Sequence, residues 1–290
     1  MNTVLEKAYA KINLTLDVTG KLENGYHSVK MVMQSLELHD DVILSKGIGQ
    51  GIKIKTNLRF LPNDSSNLAY KAGNAFFEYI NIQNPSLDIE LKKRIPVAAG
   101  LAGGSSNAAA VLRGLNKMYN TGLSVKQLCE IGVKIGADVP YCIMGGSMLA
   151  EGIGEILTPL SKMPECFVVI CKPDFSVVTA KIYARMNSGV LDLRPDTNGM
   201  IKALDESDYS GICHRLYNVM EQVTASDHEE IKQIEDIMLE YGCDGTVMSG
   251  SGPTVFGLFS DLDKAENAEK ELKKSFKETF LTQIRTQNNF

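Results

Sequence analysis

No apolar run in the 290 residues approaches the roughly 18 needed to cross a bilayer. The opening stretch MNTVLEKAYAKINLTLDV has no basic segment followed by a continuous apolar core. Neither a membrane span nor a signal peptide is therefore expected, and a cytoplasmic location follows by elimination. The six cysteines (Cys129, Cys142, Cys166, Cys171, Cys213 and Cys243) never form a CxxC pair, which argues against a zinc ribbon or a redox motif. All lie in or beside apolar runs, so buried, reduced thiols are expected. A basic surplus is missing too. Thirty Lys and Arg against thirty-five Asp and Glu leave a net charge of -5, which argues against nucleic-acid binding through a general basic surface but allows a local cationic pocket. Internal repeats and low-complexity tracts are absent. What remains, 44% hydrophobic and 22% charged, is an ordinary globular composition, long enough for one large domain or two of usual size.

The most informative absence is a single lysine. The stretch PVAAGLAGGSSNAAA, Pro96 to Ala110, has the look of a phosphate-binding loop, with glycines followed by serines and an alanine-rich helix. The GxxxxGK[ST] loop would place a lysine where this one has serines. Its glycines, at 100, 103 and 104, do not fit GxGxxG either, and the acidic residue expected about 20 residues on does not fit well, so a dinucleotide enzyme is a distant alternative. A strand–glycine loop–helix unit can still hold an anion, through backbone N–H groups and the helix dipole. The competing reading is a tight turn whose glycines only permit close packing; the paired serines tip the balance toward phosphate.

Along the chain, period-two alternation from Val4 to Val18 marks a strand, with Lys11, Asn13, Thr15 and Asp17 sharing the face opposite the apolar one. VKMVMQSLEL and DVILSKG read as two further strands. Apolar residues at 68, 72, 76 and 80 indicate a helix over 65–80, and LDIELKKRIP a strand leading into the glycine loop. Ala108, Val111, Leu112, Leu115 and Met118 mark the helix after it, with Ser105 or Ser106 placed to cap its start. A further helix begins at Ser124, with Gln127 completing a capping box. The proline-bounded PLSKMPEC suggests a division into domains 1–162 and 163–290. The second half reads as a strand (CFVVICK), helices near 179–187 and 212–224, and an amphipathic helix at 226–241 with Ser226 and Glu229 as its capping box. Strands at 245–248 and 254–259, a charged helix at 262–275 and a strand near 279–285 complete an α+β chain.

Four further features could carry chemistry. Lys11, with Asn13 beside it, presents a charge from a rigid strand, although a solvated strand face is the commoner meaning. Asp138 in GADVP suits a helix N-cap, or a carboxylate that accepts the proton of an attacking hydroxyl. GSGPT, containing Gly250 and Gly252, is a hairpin turn or a second loop facing the first. Tyr26 and His27 in GYH can stack on and hydrogen-bond to a flat heterocycle, or simply occupy a turn.

In this order the motifs resemble the GHMP kinases, the superfamily of galactokinase, homoserine kinase, mevalonate kinase and phosphomevalonate kinase. PVAAGLAGGSSNAAA is similar to their ATP-phosphate loop and MSGSGPTVFGLF to their third motif. AKINLTLDVTGKLENGYHSVKMVMQSLELHD and IGADVPYCIMGGSMLAEGIGEILTPL are similar to the branch acting on a cytidine diphosphate sugar alcohol, in the non-mevalonate route to isoprenoid precursors. The resemblance runs from about residue 7 to 260. It implies an N-terminal α+β domain with a left-handed crossover and a ferredoxin-like C-terminal domain. It also implies transfer from ATP, with Mg2+, to the 2-hydroxyl of that acceptor. Lys11 and Asp138 match the catalytic positions, the aspartate as base and the lysine as its electrostatic partner. Asn13 matches a substrate-site polar residue, Tyr26 and His27 the residues that hold cytosine, and Tyr183 the other stacking face. Asn67 and Leu68 match positions near adenine. Pro96, Val97, Ala98, Ala99, Gly100, Leu101, Ala102, Gly103, Gly104, Ser105 and Ser106 match the phosphate loop, with Ser105 or Ser106 as the candidate magnesium contact. Gly250 and Gly252 match the substrate side of the third motif. Alanines 98, 99 and 102 depart from sites often filled by glycine. The implied partners are small molecules, not nucleic acid or membrane, with the chain a monomer or weak dimer. Two rivals stand beside this: a GHMP kinase for mevalonate, a sugar or homoserine, and a non-catalytic nucleotide-binding module.

Overall fold

The computed structural model describes residues 2–23, 25–186 and 193–286; Asn24 of the ENG turn and residue 187 of the expected helix at 179–187 lie outside them. The backbone of the molecule is a long antiparallel pair, β1 (Thr3–Lys21) and β2 (His27–Lys46), registered from Thr3 opposite Ser45 to Lys21 opposite His27. The two strands expected between residues 29 and 47 are thus one 20-residue strand, because β1 runs beside both halves and supplies partners to each. Irregularities between Tyr9 and Lys11, Asn13 and Thr15, and Val18 and Gly20 interrupt the pairing. They change what the alternation means. Val4, Ala8, Leu16 and Val18 join a core cluster with Ala108 and Leu112, whereas Ala10, Ile12 and Leu14 join a cluster with Ile170, Phe256 and Leu258. Bulges exchange the two faces in the middle of the strand. The expected polar face is therefore not solvated: Lys11, Asn13 and Thr15 are all buried.

β3 (Gly51–Thr56) is followed by α1 (Leu68–Tyr79) and β4 (Ser86–Lys92), which returns parallel to β3 and antiparallel to β2. Asn67 starts α1, its Oδ1 accepting from Ala69 N at 2.9 Å. The glycine loop leads into α2 (Gly103–Tyr119), whose N-cap is Ala102 with no side-chain cap bond. Neither serine caps it, because the helix begins before both, in the glycines. α3 (Val125–Gly132) carries the expected Ser124–Gln127 capping box. α4 (Val139–Met144), β5 (Ser147–Glu151) and β6 (Ile156–Pro159) follow, β5 pairing with β2 and with β6.

β7 (Phe167–Lys172) opens a second sheet. α5 (Thr179–Met186), α6 (Thr197–Asp205) and α7 (Tyr209–Cys213) precede β8 (Tyr217–Asn218), which returns to the first sheet and pairs parallel with β1 at Thr15 and Leu16. The helix expected at 212–224 is thus broken in the middle. Asn218 is extended there and caps α8 (Val219–Ala225) through a bond from Met220 N. α9 (Glu229–Glu240) begins after His228 with no side-chain cap; Ser226 Oγ instead donates to Val223 O at 2.9 Å, so the expected capping box is absent. Ile231, Ile234 and Met238 are nevertheless its buried face. β9 (Gly245–Met248), β10 (Val255–Phe259), α10 (Leu262–Leu272) and β11 (Glu278–Gln283) complete the sheet in the order β11-β7-β10-β9, antiparallel throughout. All six cysteines are free thiols, and burial pushes those of Cys129 and Cys213 up to about 11. No helix among the described residues is long and apolar enough to cross a membrane.

Two carboxyls meet where α8 packs on α9. Glu235 is hydrogen-bonded to Glu221, which also accepts from Met248 N at 2.6 Å. Burial, and then the charge of Glu221, push Glu235 up to about 8. A carboxyl raised in the folded state contributes stability that is complete below its unfolded value and lost as pH rises through about 8. Glu235→Gln removes that loss. By scanning calorimetry the variant should match the wild type near pH 4 and melt higher at pH 8, by about 2–4 °C for each kcal/mol recovered. An equal shift at both pH values would mean that the proton is not the cause.

Candidate active site

One cleft of about 700 Å³ gathers most of the residues singled out from the sequence. Lys11 and Asn13 enter from β1, Asn67 and Leu68 from the start of α1, and Asp138 from the turn before α4. Pro96 to Gly100, Ala102 to Gly104 and Ser105 line it, as do Gly250 and Gly252 and the rings of Tyr26 and Tyr183. Three expected residues do not line it. Leu101 is buried, and its carbonyl accepts from Lys11 N at 3.2 Å. Ser106 is buried too, with Oγ donating to Tyr9 O at 2.6 Å; its hydroxyl ties the helix to β1 instead of facing a metal, which leaves Ser105 as the serine on the cleft. His27 stacks on Tyr183, rings 4.4 Å apart and 11° from parallel, and so touches the cleft only through the residue that lines it.

The first glycine loop is built from left-handed backbone. Ala98 (φ 52°), Gly100 (φ 74°) and Ala102 (φ 55°) all adopt it. For an alanine that conformation costs on the order of 1 kcal/mol, a strain that persists where the surroundings demand the loop shape. The alanines therefore keep the geometry that glycine would reach freely. Because no side chain caps α2, its first-turn N–H groups and dipole are available to an anion.

The second glycine loop packs directly on the first. Ser249 Oγ donates to Gly100 O at 3.1 Å, and a Cβ on Gly100 would stand 2.2 Å from Ser249 O. A Cβ on Gly250 would meet Gly100 O at 3.1 Å and Lys11 Nζ at 3.3 Å. Thr179 and Ser251 share a hydroxyl hydrogen bond of 2.8 Å, which ties α5 to the same loop. These approaches are open only to glycine.

Lys11 is 5% exposed and donates to Asn13 Oδ1 at 2.7 Å. Asn13 in turn directs Nδ2 to Met31 Sδ at 3.1 Å. Burial lowers the pKa of the ammonium and the nearby charge of Asp138 raises it, so the two act on each other without a direct bond being needed. Asp138 precedes α4 but makes no side-chain cap bond, which leaves its carboxylate for other work. Tyr183 is pushed up to about 12 by burial and then by Asp138, so its ring stays neutral.

The residue-level reading of the sequence missed a second lysine. Lys93, one residue beyond β4 and shortly before the loop, also lines the cleft, and a Cβ on Gly103 would lie 3.3 Å from its Nζ. It is paired with Asp40 and donates to Asn107 Oδ1 at 3.0 Å; Asn107 Nδ2 reaches the same Asp40 oxygen at 2.8 Å. The other Asp40 oxygen accepts from Arg94 N and Ile95 N. The signal was the KKR immediately before the loop; its carboxylate partner lay out of reach, on another strand.

A buried lysine and a carboxylate that makes no capping bond, on a cleft that two glycine loops also line, fit one class: a kinase that transfers phosphate to a small molecule. A model of the GHMP kinases N terminal domain matches residues 67–146, and one of the GHMP kinases C terminal matches 200–278. The chain is 46% identical over 283 residues to the 4-diphosphocytidyl-2-C-methyl-D-erythritol kinase of Alkaliphilus metalliredigens, covering 98% of this chain and 97% of that one. It is also 46% identical over 286 residues to the enzyme of that name from Lachnoclostridium phytofermentans, covering 98% of each. A crystal structure of 4-(cytidine 5'-diphospho)-2C-methyl-D-erythritol kinase superposes with a TM-score of 0.82 at 29% identity, covering 97% of this chain and 99% of that one. The homoserine kinase of Cytophaga hutchinsonii, at 18% identity and a TM-score of 0.77 over 100% and 96% of the two chains, shares the fold. The chain therefore belongs to the GHMP kinases, in the family of the 4-diphosphocytidyl-2-C-methyl-D-erythritol kinases.

The contact between the loops predicts the effect of one methyl group. In Gly100→Ala the new Cβ meets a backbone oxygen at a positive φ. The affinity for ADP, measured by titration calorimetry, should fall about 10-fold or more, as expected for a few kcal/mol of loop strain. Unchanged affinity would show that the two loops do not shape the nucleotide site together.

Proposed function

We propose that the chain uses ATP to phosphorylate the 2-hydroxyl of 4-diphosphocytidyl-2-C-methyl-D-erythritol, the compound for which its relatives are named. The observation that carries the reading is that Lys11 and Asp138 line one cleft together with both glycine loops and the rings of Tyr26 and Tyr183. ATP phosphates lie on the first loop and the α2 N-terminus, and adenine lies toward Asn67 and Leu68. Asp138 orients the acceptor hydroxyl and takes its proton as the oxygen bonds to the γ-phosphorus and the bond to the ADP oxygen breaks. Lys11 is the aspartate's electrostatic partner and steadies the developing charge. Positioning and charge neutralisation carry most of such a transfer. Ser105 and Asp138 put hard oxygen donors on the cleft and suit magnesium, which neutralises phosphate charge when bound with ATP. Tyr26 and Tyr183 take the two faces of the cytosine, with His27 behind Tyr183 as its support. The same reading divides the chain into domains 1–162 and 163–290 and places it in the cytoplasm.

Asp138→Asn should keep ADP affinity and lower kcat by about 10²–10⁴-fold, a general-base magnitude, in a coupled ADP-release assay. Near-normal turnover would remove Asp138 from the mechanism. Tyr26→Ala should raise KM for the cytidine acceptor and leave KM for ATP nearly unchanged; equal effects on both would place the cytosine elsewhere.

A further inference from the structure

The second glycine loop is itself held from outside the cleft. Asn218 is 2% exposed and does not line the cavity. Its carboxamide nitrogen donates to Met248 O at 2.7 Å and to Gly250 O at 2.8 Å, which uses both of its N–H bonds. Its Oδ1 accepts from Met220 N at 3.0 Å and so starts α8. Glu221, in the first turn of α8, takes the Met248 N–H at 2.6 Å. Met248 is thus gripped at both its N–H and its carbonyl by one helix start, and Gly250 by the same amide. The backbone of Asn218 pairs with Leu16 on the strand that carries Lys11.

The loop so held has little room to drift. Gly250 stands where a Cβ would be 3.3 Å from Lys11 Nζ, and Ser249 is bonded to Gly100 of the first loop. One residue therefore relates three parts of the site: by its backbone the strand bearing the lysine, by its carboxamide the second loop, and through that loop the first. We propose that Asn218 is the positioning residue of the second glycine loop, its carboxamide fixing Gly250 against Gly100 and Lys11 and so setting nucleotide affinity and turnover without touching substrate. The chemistry specifies an amide. A carboxylate of the same shape still accepts from Met220 N but turns an oxygen toward two carbonyl oxygens.

The inference rests on the kinase reading of the cleft, and two variants of the full chain, Asn218→Asp and Asn218→Ser, test it. The readouts are melting temperature, ADP affinity by calorimetry, and kcat with both KM values on 4-diphosphocytidyl-2-C-methyl-D-erythritol. In each variant the Kd for ADP and the KM for ATP should rise about 10-fold and kcat should fall about 10-fold, the scale of an unpaired buried polar group. The KM for the cytidine acceptor should rise as well, because Gly250, which the amide holds, matches the substrate side of the third motif and packs on Gly100 of the first loop. The isosteric aspartate should be the more damaged of the two. A packing role would reverse that order and lower the melting temperature while leaving the affinities of the folded enzyme intact; either result overturns the inference. So does failure of both variants to fold, because positioning requires a folded enzyme with a defective site. If the wild type binds ADP but does not phosphorylate the cytidine compound, the proposed function fails, and the ADP affinities still decide the role of Asn218.

Discussion

Two backbones touch at the centre of this molecule, and a buried ammonium lies beside the contact. Gly100 and Ser249 approach so closely that no Cβ fits between them, with Lys11 Nζ next to Gly250. The contact joins the strand–loop–helix unit of the first sheet to the β9–β10 connection of the second, and it adds to the shared core of Ala10, Ile12 and Leu14 with Ile170, Phe256 and Leu258 that holds the two sheets together. A lysine that is 5% exposed is expensive to bury, by several kcal/mol before compensation. Asn13, Asp138 and the loop dipoles are what offset that cost. Lysine burial and loop contact are therefore one arrangement. Moving either loop alters the field around the ammonium, and neutralising the ammonium alters what the loops can hold.

The same logic accounts for the missing lysine in the phosphate loop. A cation inside the loop would sit on the phosphate side alone. Here the charge is divided between Lys11 on β1, close to the carboxylate that would take a proton, and Lys93 beside the loop, already paired with Asp40 and bonded to Asn107. The loop contributes uncapped N–H groups in place of a side-chain charge. Ser106, which looked like a ligand, is spent on Tyr9 O to lock α2 to β1. Ser105, one residue earlier on the helix, is turned to the cleft. Successive helical residues point about 100° apart, so adjacent serines cannot share one task.

Much of this was legible in the sequence, with errors that have physical causes. Local signals placed the glycine loop, the capping box at Ser124 and the apolar face of α9, because each is written in neighbouring residues. Alternation along β1 correctly marked a strand, yet it implied that Lys11 faced solvent. Bulges, set by register with a distant strand, exchange the faces while the alternation runs on unchanged. Ser226 looked like a cap, but α8 ends there and takes the hydroxyl for its own carbonyl. Asn218 was hidden within an apparent helix, since pairing with β1 is a tertiary fact that overrides local helical preference. Asp138 shows the converse. Its sequence position suits an N-cap, and the structure withholds the capping bond.

The groups that line the cleft differ in how firmly they are held, and the difference bears on specificity. Lys11, Asn13 and Lys93 are buried and hydrogen-bonded within the protein, so affinity there draws on groups already ordered. Tyr26, by contrast, is 61% exposed, while Tyr183 is half-buried and stacked on the His27 ring. A flat base entering between the tyrosines would meet one supported face and one solvated face that gains burial as the ligand arrives. On the proposed reading, the phosphate-binding groups are common ground for any nucleotide-dependent transfer. Discrimination among acceptors would then fall on ordering Tyr26, which is worthwhile only for a ligand with an aromatic ring to cover. Mevalonate, homoserine and a simple sugar have no such ring. A cleft furnished with aromatic rings fits a cytidine-bearing acceptor better than any of these.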